Sequence, residues 1–315
     1  MTKGYRDHSQ IRGKAAIAQA LAAVERHADA VETRQMLAEA YRAPKGHVIG
    51  ITGPPGVGKS TLIRGLIESF RQEGLSVAVV AVDPSSRQSG GALLGDRVRL
   101  GGNPEDSGLF IRSMAARDRL GGLADVTWAA TVLLRAHYER ILVETVGVGQ
   151  SETDVANLAD SVVFCVQPGS GDVLQFMKAG IAETPHLAVV TKADMGSAAH
   201  KTEMDLREAL PPRSRDGSEV SILRLALQEP DGIEPLRMAL ENRWATLCSR
   251  PDRLAIKRLN QAEHWLEDAL RNRFGREGVK RCVNLELSEE EVPFDRLAEL
   301  SASLARNWPN QVDGA

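Results

Sequence analysis

Gly53-Pro54-Pro55-Gly56-Val57-Gly58-Lys59-Ser60-Thr61 is a complete GxxxxGKS/T sequence. It follows an apolar run, His47 to Thr52 (HVIGIT), and opens onto Leu62-Ile63-Arg64-Gly65-Leu66-Ile67, which reads as a helix. Strand, glycine loop and helix in that order predict a phosphate-binding loop. Glycines at 53, 56 and 58 let the backbone amides from Gly53 through Val57 to Thr61 turn inward, and the new helix points its positive end at the same place. Lys59 is expected to reach the β- and γ-phosphates, and the Ser60 hydroxyl to bind Mg²⁺. The stretch predicts a nucleoside triphosphate site.

Outward from the loop, short Val/Ile/Leu runs alternate with helical stretches. Strands are expected at 47–52, 76–82, 108–113, 140–145, 161–167, 186–191 and 220–225. Helices are expected at 59–73, 122–138, 152–159, 171–183 and 197–210. Apolar runs with little alternation are what strands covered on both faces look like. The fold class is therefore α/β, a doubly wound and mostly parallel sheet with its sites at the strand carboxyl ends. Residues 11 to 42 read as two helices, giving an N-terminal helical arm over 1–44 and a nucleotide-binding domain over 45–248. The pattern becomes helical again after residue 232. A C-terminal helical extension over 249–315 holds a helix near 252–274 and an amphipathic segment at 292–307. Its apolar faces need a partner surface, either the rest of the chain or a second copy in a homodimer.

Composition narrows the class of protein. The 315 residues, 43% hydrophobic and 26% charged, suit a globular chain with a substantial core. A formal charge of −3 leaves no basic excess to neutralise nucleic-acid phosphates. No apolar run approaches the ~18 residues of a membrane span. Cys165, Cys248 and Cys282 are far apart and show no CxxC spacing, so neither a disulfide framework nor a zinc site is expected. Cys165, inside Val162-Val163-Phe164-Cys165-Val166, reads as a buried strand thiol. Lys3, Arg6, Arg12 and Lys14 faintly resemble a transit peptide, but Gln10 to Glu25 runs on into a helical region, so a structural arm in a cytoplasmic protein is the expectation.

The loop alone does not choose between ATP and GTP. Val189-Val190-Thr191-Lys192-Ala193-Asp194 ends a predicted strand and resembles the guanine-recognition motif NKxD. Asp194 can accept from the guanine N1–H and exocyclic amine, a donor pair that adenine lacks, and Lys192 can lay its stem along the base. Thr191 stands where the motif has asparagine, so an amide that normally braces the site is absent. As an alternative, Asp194 could be a helix N-cap.

Acidic residues close other predicted strands. Asp83 follows Val77 to Val82, and Glu144 follows Ile141-Leu142-Val143 and precedes Thr145-Val146-Gly147-Val148-Gly149-Gln150. Glu144 has the position of a strand-end carboxylate that binds Mg²⁺ directly or through water. Gly147 and Gly149 suit a loop that senses the γ-phosphate, with Gln150 placed to orient water. Asp96 lies in a glycine-rich stretch that could switch conformation, or is a solvated loop acid. Asp172 and Lys178, in Pro168-Gly169-Ser170-Gly171-Asp172-Val173-Leu174-Gln175-Phe176-Met177-Lys178, read on their own as a helix cap and a surface charge.

Taken together, GITGPPGVGKSTLI, VAVDPSSRQSGGALLGDRVRL, ILVETVGVGQSE, QPGSGDVLQFMKAGI and VVTKAD resemble the methylmalonyl-CoA mutase-associated GTPases, the MeaB/ArgK/MMAA family, over about residues 10 to 270. The resemblance implies a Mg²⁺-dependent GTPase that cycles between GTP and GDP. It also implies a chaperone role toward an adenosylcobalamin-dependent acyl-CoA mutase, gating cofactor delivery and protecting the mutase. Asp83, Asp96 and Glu144 map onto the family's Mg²⁺-associated carboxylates. Gln167 to Lys178 matches a third switch, which makes Asp172 and Lys178 switch residues. Ala226, in Leu225-Ala226-Leu227, stands where a base-contacting loop would lie. The competing classes are a nickel-insertion GTPase, which should carry a histidine-rich or cysteine metal site, and a small-molecule kinase, which would have no use for TKAD. A dimerising partition-type ATPase would carry a lysine early in the loop, where Pro54 and Pro55 stand.

Overall fold

His47–Thr52, strand β1, has all six residues buried, as the unbroken apolar run predicts. In the computed structural model, which describes residues 11–83, 103, 105–115, 125–145, 155–169, 185–282 and 284–307, β1 is the middle of the sheet. Around it lie β2 (Val77–Asp83), β3 (Leu109–Ala115), β4 (Arg140–Glu144), β5 (Ser161–Val166), β6 (Leu187–Val190) and β7 (Ser221–Arg224). The order is β3-β2-β4-β1-β5-β6-β7, and every pairing is parallel. The expectation of a mostly parallel sheet thus becomes an entirely parallel one among the described strands.

The chain divides into two compact units, Lys45–Leu254 and Met1–Pro44 with Ala255–Ala315. In the first, residues alternate between the faces of the sheet, as the period of two requires. Ile49, Ile51, Val79, Leu142, Val163 and Val189 share one core with Leu62, Leu66 and Phe70 of helix α3 (Lys59–Gln72). Leu236 and Leu240 of α6 (Glu234–Cys248) join the same cluster. On the other face α4 (Asp125–His137) lies against β1, β2 and β4, and α5 (Ser197–Ala209) packs Ala199 and Leu206 on Phe164, Ala188 and Val190. Gly50 faces the 3-10 turn Val155–Asn157, where a Cβ would stand 2.4 Å from Val155 Cγ2.

One helical expectation changes, one lies outside the described residues, and one is divided in two. Of the helix expected at 152–159, the described part is a 3-10 turn, Val155–Asn157. The helix expected at 171–183 lies outside the described residues. The helical region after residue 232 contains a separate element, α6, before the long C-terminal helix begins.

The second unit is built from both ends of the chain. Helices α1 (Gly13–Arg26) and α2 (Val31–Arg42) pack on each other, and α2 also packs on α8 (Pro293–Asn307). Between them in sequence runs α7 (Pro251–Arg281), longer than the 252–274 expected and broken at Gly275, whose φ of 69° is not helical. Trp265 of α7 meets Phe294 of α8 edge-on at 5.0 Å, and Arg273 pairs with Asp29 at 2.7 Å. The apolar stripe Ile17, Leu21 and Val24 is fully buried.

Candidate nucleotide site

At β1 the chain connections to the sheet run off in opposite directions, toward β4 and β2 on one side and β5 to β7 on the other. Such a switch point opens a crevice at the strand carboxyl ends. The phosphate loop begins there. Gly53, Gly56 and Gly58 have φ of 136°, 79° and 99°, the region that only glycine enters easily. Gly53 has a second constraint: a Cβ would come within 2.2 Å of the Cys165 carbonyl oxygen on β5. Pro55 and Gly56 form the exposed crown of the loop. Lys59, at the start of α3, is buried and folds back across the loop, its Nζ donating to Gly53 O at 2.6 Å and Pro54 O at 3.0 Å.

Glu144 ends β4 beside Ile51, two residues before the loop begins at Gly53. The Ser60 hydroxyl donates to its Oε1 at 2.9 Å. A hydroxyl and a strand-end carboxylate form a hard oxygen pair at the edge of a phosphate cradle. That donor set fits Mg²⁺, which is commonly held by one or two protein oxygens together with water and substrate phosphate. Among the described residues no group of three or more His, Cys, Asp or Glu could hold a metal. The backbone of Asp83 closes β2 two residues beyond Ala81, the partner of Glu144 in register. Asp96, Gln150, Asp172 and Lys178 lie outside the described residues. Thr145, next to Glu144, ties β4 to β1 through its Oγ1, 3.0 Å from Thr52 Oγ1.

The TKAD segment leaves β6 at the same edge of the sheet. Thr191 is buried, and its hydroxyl lies 2.7 Å from Val57 O in the phosphate loop and 3.0 Å from Val166 O at the end of β5. Its own N–H also donates to Val166 O, at 2.9 Å. The bracing amide missing from the motif is therefore replaced by the threonine hydroxyl, which ties this turn to the loop. Lys192 takes a left-handed conformation, φ 54° and ψ 46°, and its Nζ donates to Gln167 Oε1 at 2.6 Å. Asp194 is exposed in a 3-10 turn, Ala193–Met195. The N-cap of α5 is Gly196, so Asp194 is not the cap residue. Beside it, Ala193 N–H donates to Leu225 O, at 3.0 Å, which places Ala226 next to the TKAD turn.

Cys165 is wholly buried on β5, and burial pushes its thiol up to about 12, so it is an inert part of the core as the sequence suggested. The brace from Thr191 to Val57 and the contact from Gln167 to Lys192 were missed from sequence, because both depend on how β5 and β6 are aligned.

A family model described as methylmalonyl-CoA mutase-associated GTPase MeaB matches residues 17–280. The chain belongs to this family. It shares 34% identity with the GTPase ArgK of Escherichia coli over 283 residues, 85% of each chain. It is 37% identical over 224 residues to the mouse protein named methylmalonic aciduria type A homolog, mitochondrial, covering 69% of this chain and 54% of that one. A protein of Pyrococcus horikoshii is 54% identical over 153 residues, and the chain spans about half the length of that relative (48%). Among solved structures, an LAO/AO transport system kinase superposes with a TM-score of 0.63 at 27% identity, covering 95% of this chain and 96% of that one. The P-loop GTPase class read from the sequence is that of the family. No helix among the described residues is long and apolar enough to cross a membrane.

Proposed function

We propose that this protein hydrolyses GTP to GDP with Mg²⁺ and serves as a cytoplasmic chaperone of an adenosylcobalamin-dependent acyl-CoA mutase, acting as a homodimer. The observation that carries the nucleotide reading is the bond from Thr191 to Val57, which joins a turn bearing an exposed aspartate to an intact phosphate loop. Membership of the mutase-associated family supports the client.

Phosphoryl transfer needs positioning and charge neutralisation more than covalent help. The loop amides from Gly53 to Thr61 would cradle the phosphates, and Lys59 would exchange the carbonyls of Gly53 and Pro54 for phosphate oxygens. Ser60 and Glu144 would hold Mg²⁺, with Asp83 and Asp96 contributing through the switch loops. The ion would supply positive charge against the phosphates there. Gln150 would orient the attacking water, and Asp172 and Lys178 would respond to the state of the nucleotide. Asp194 would accept both guanine donors, with the Lys192 stem and Ala226 flanking the base.

The test is turnover and capture. The full chain should release phosphate from GTP slowly when alone. It should bind a cobalamin-dependent acyl-CoA mutase from its host in a manner that differs between GDP and a non-hydrolysable GTP analogue. Transfer of the γ-phosphate to a small acceptor would instead identify a kinase. Failure to bind any such mutase in either nucleotide state would remove the chaperone assignment.

A further inference from the structure

Lys192 has the least self-supporting position in the TKAD turn. Its backbone is left-handed, which a non-glycine residue adopts only where its surroundings hold it. Its side chain is exposed, and ordering a long lysine stem is opposed by rotamer entropy. Asp194, two residues on, is also exposed and carries the charge that a guanine would need. An untethered Lys192 ammonium could swing onto that carboxylate and compete with the base for it. The tether is Gln167, the half-buried first residue after β5, whose Oε1 accepts from Nζ at 2.6 Å. Val166, just before it, accepts the N–H of Thr191, and its carbonyl oxygen lies 3.0 Å from the Thr191 hydroxyl. Two consecutive residues at the end of β5 thus hold two consecutive residues of the base-recognition turn.

The geometry points to Gln167 as a positioning residue of the base site. Its amide oxygen anchors the Lys192 ammonium away from Asp194, so the alkyl stem is presented as an apolar wall and the carboxylate stays open to the guanine donors. This rests on the guanine-binding reading above. It gives Gln167 a direct hold on affinity for the base, separate from the phosphates.

The full chain and its variants can be titrated in Mg²⁺ with GDP, ADP and inorganic tripolyphosphate, which has no base. Gln167→Ala should weaken GDP about fivefold, the effect of one partly exposed hydrogen bond to a charged group, while tripolyphosphate affinity stays within about twofold. Gln167→Glu keeps an acceptor for Nζ and should restore GDP affinity; rescue by this variant is what a merely structural role would not produce. Unchanged GDP affinity in Gln167→Ala overturns the proposal. So does equal weakening of GDP and tripolyphosphate, which would mean damage to the loop or the fold. A wild-type protein that binds GDP no better than ADP overturns the guanine reading itself, and this proposal with it.

Discussion

Thr191 holds together two parts of the site that are far apart in sequence. Its hydroxyl has one proton and two carbonyl partners, Val57 O and Val166 O. Thr191→Val keeps the shape and removes the donor, leaving those buried carbonyls one hydrogen bond short. The expected loss is about 1–2 kcal/mol of stability in urea unfolding, with weaker GDP binding because the loop loses its brace. Gly53 makes a sharper test of the loop. With φ at 136° and the Cys165 carbonyl 2.2 Å from any Cβ, Gly53→Ala should abolish nucleotide binding in equilibrium titration. Gly56→Ala meets no atom within 4 Å and should suffer only the strain of its positive φ, so its binding defect should be smaller. At this scale the sequence was most readable where chemistry is local. The positions of the loop glycines, Lys59, Ser60 and Glu144 were legible because each sits at a strand end or helix start that its own neighbours define. Thr191 was read as a loss because its bond to Val57 crosses 134 residues of sequence.

Among the elements, α6 shows why the bounds of a helix can stay unread inside a region that reads as helical. Its buried residues are Leu236 and Leu240, while Met238 is exposed, so it lacks a broad apolar stripe. Polar side chains fasten it instead, at the end of the sheet opposite the phosphate loop. Arg243 donates to Ser161 Oγ, Ser218 Oγ and Asp216 Oδ2 at 2.8, 2.8 and 2.7 Å. Arg140 of β4 donates through Nε to Glu241 at 2.8 Å, and Trp244 stacks on His47 at 4.7 Å. His186 accepts the Val162 N–H at Nδ1, so its proton lies on Nε2, 3.0 Å from Asp216 Oδ2. Burial alone would raise the Asp216 carboxyl, but hydrogen bonds from His186, Ser214 and Ser218 outweigh it and hold the group well below the usual carboxylate range. A depressed folded-state value means that the unfolded chain binds the proton more readily. The stabilisation is therefore present above the unfolded value of about 3.9 and lost as pH falls toward the folded value. Asp216→Ala should cost about 3 kcal/mol, leaving Arg243 without its charge partner. In urea unfolding that difference should stay constant above about pH 5 and shrink below about pH 4.

For the whole molecule, the order of strands and helices followed from apolar runs and the loop, because a parallel sheet buried on both faces writes itself into the sequence as uninterrupted strands. The joining of the two chain ends into one unit did not, since periodicity marks an apolar face without naming what covers it. Phe294 on Trp265 is part of that cover, and Phe294→Ala should destabilise the chain by about 3 kcal/mol. Phe294 lies in the unit that does not contain the phosphate loop, so GDP affinity should be retained under conditions where this variant is folded.

Selection of GTP by this protein depends on guanine being read at Asp194. The most direct measurement is a competition titration of the full chain with GTP against ATP in Mg²⁺, repeated with Asp194→Ala. Two charge-assisted hydrogen bonds to guanine predict a preference for GTP of at least about tenfold, lost in the variant while ATP binding is unchanged. Equal affinity for GTP and ATP in the wild-type protein would contradict the account.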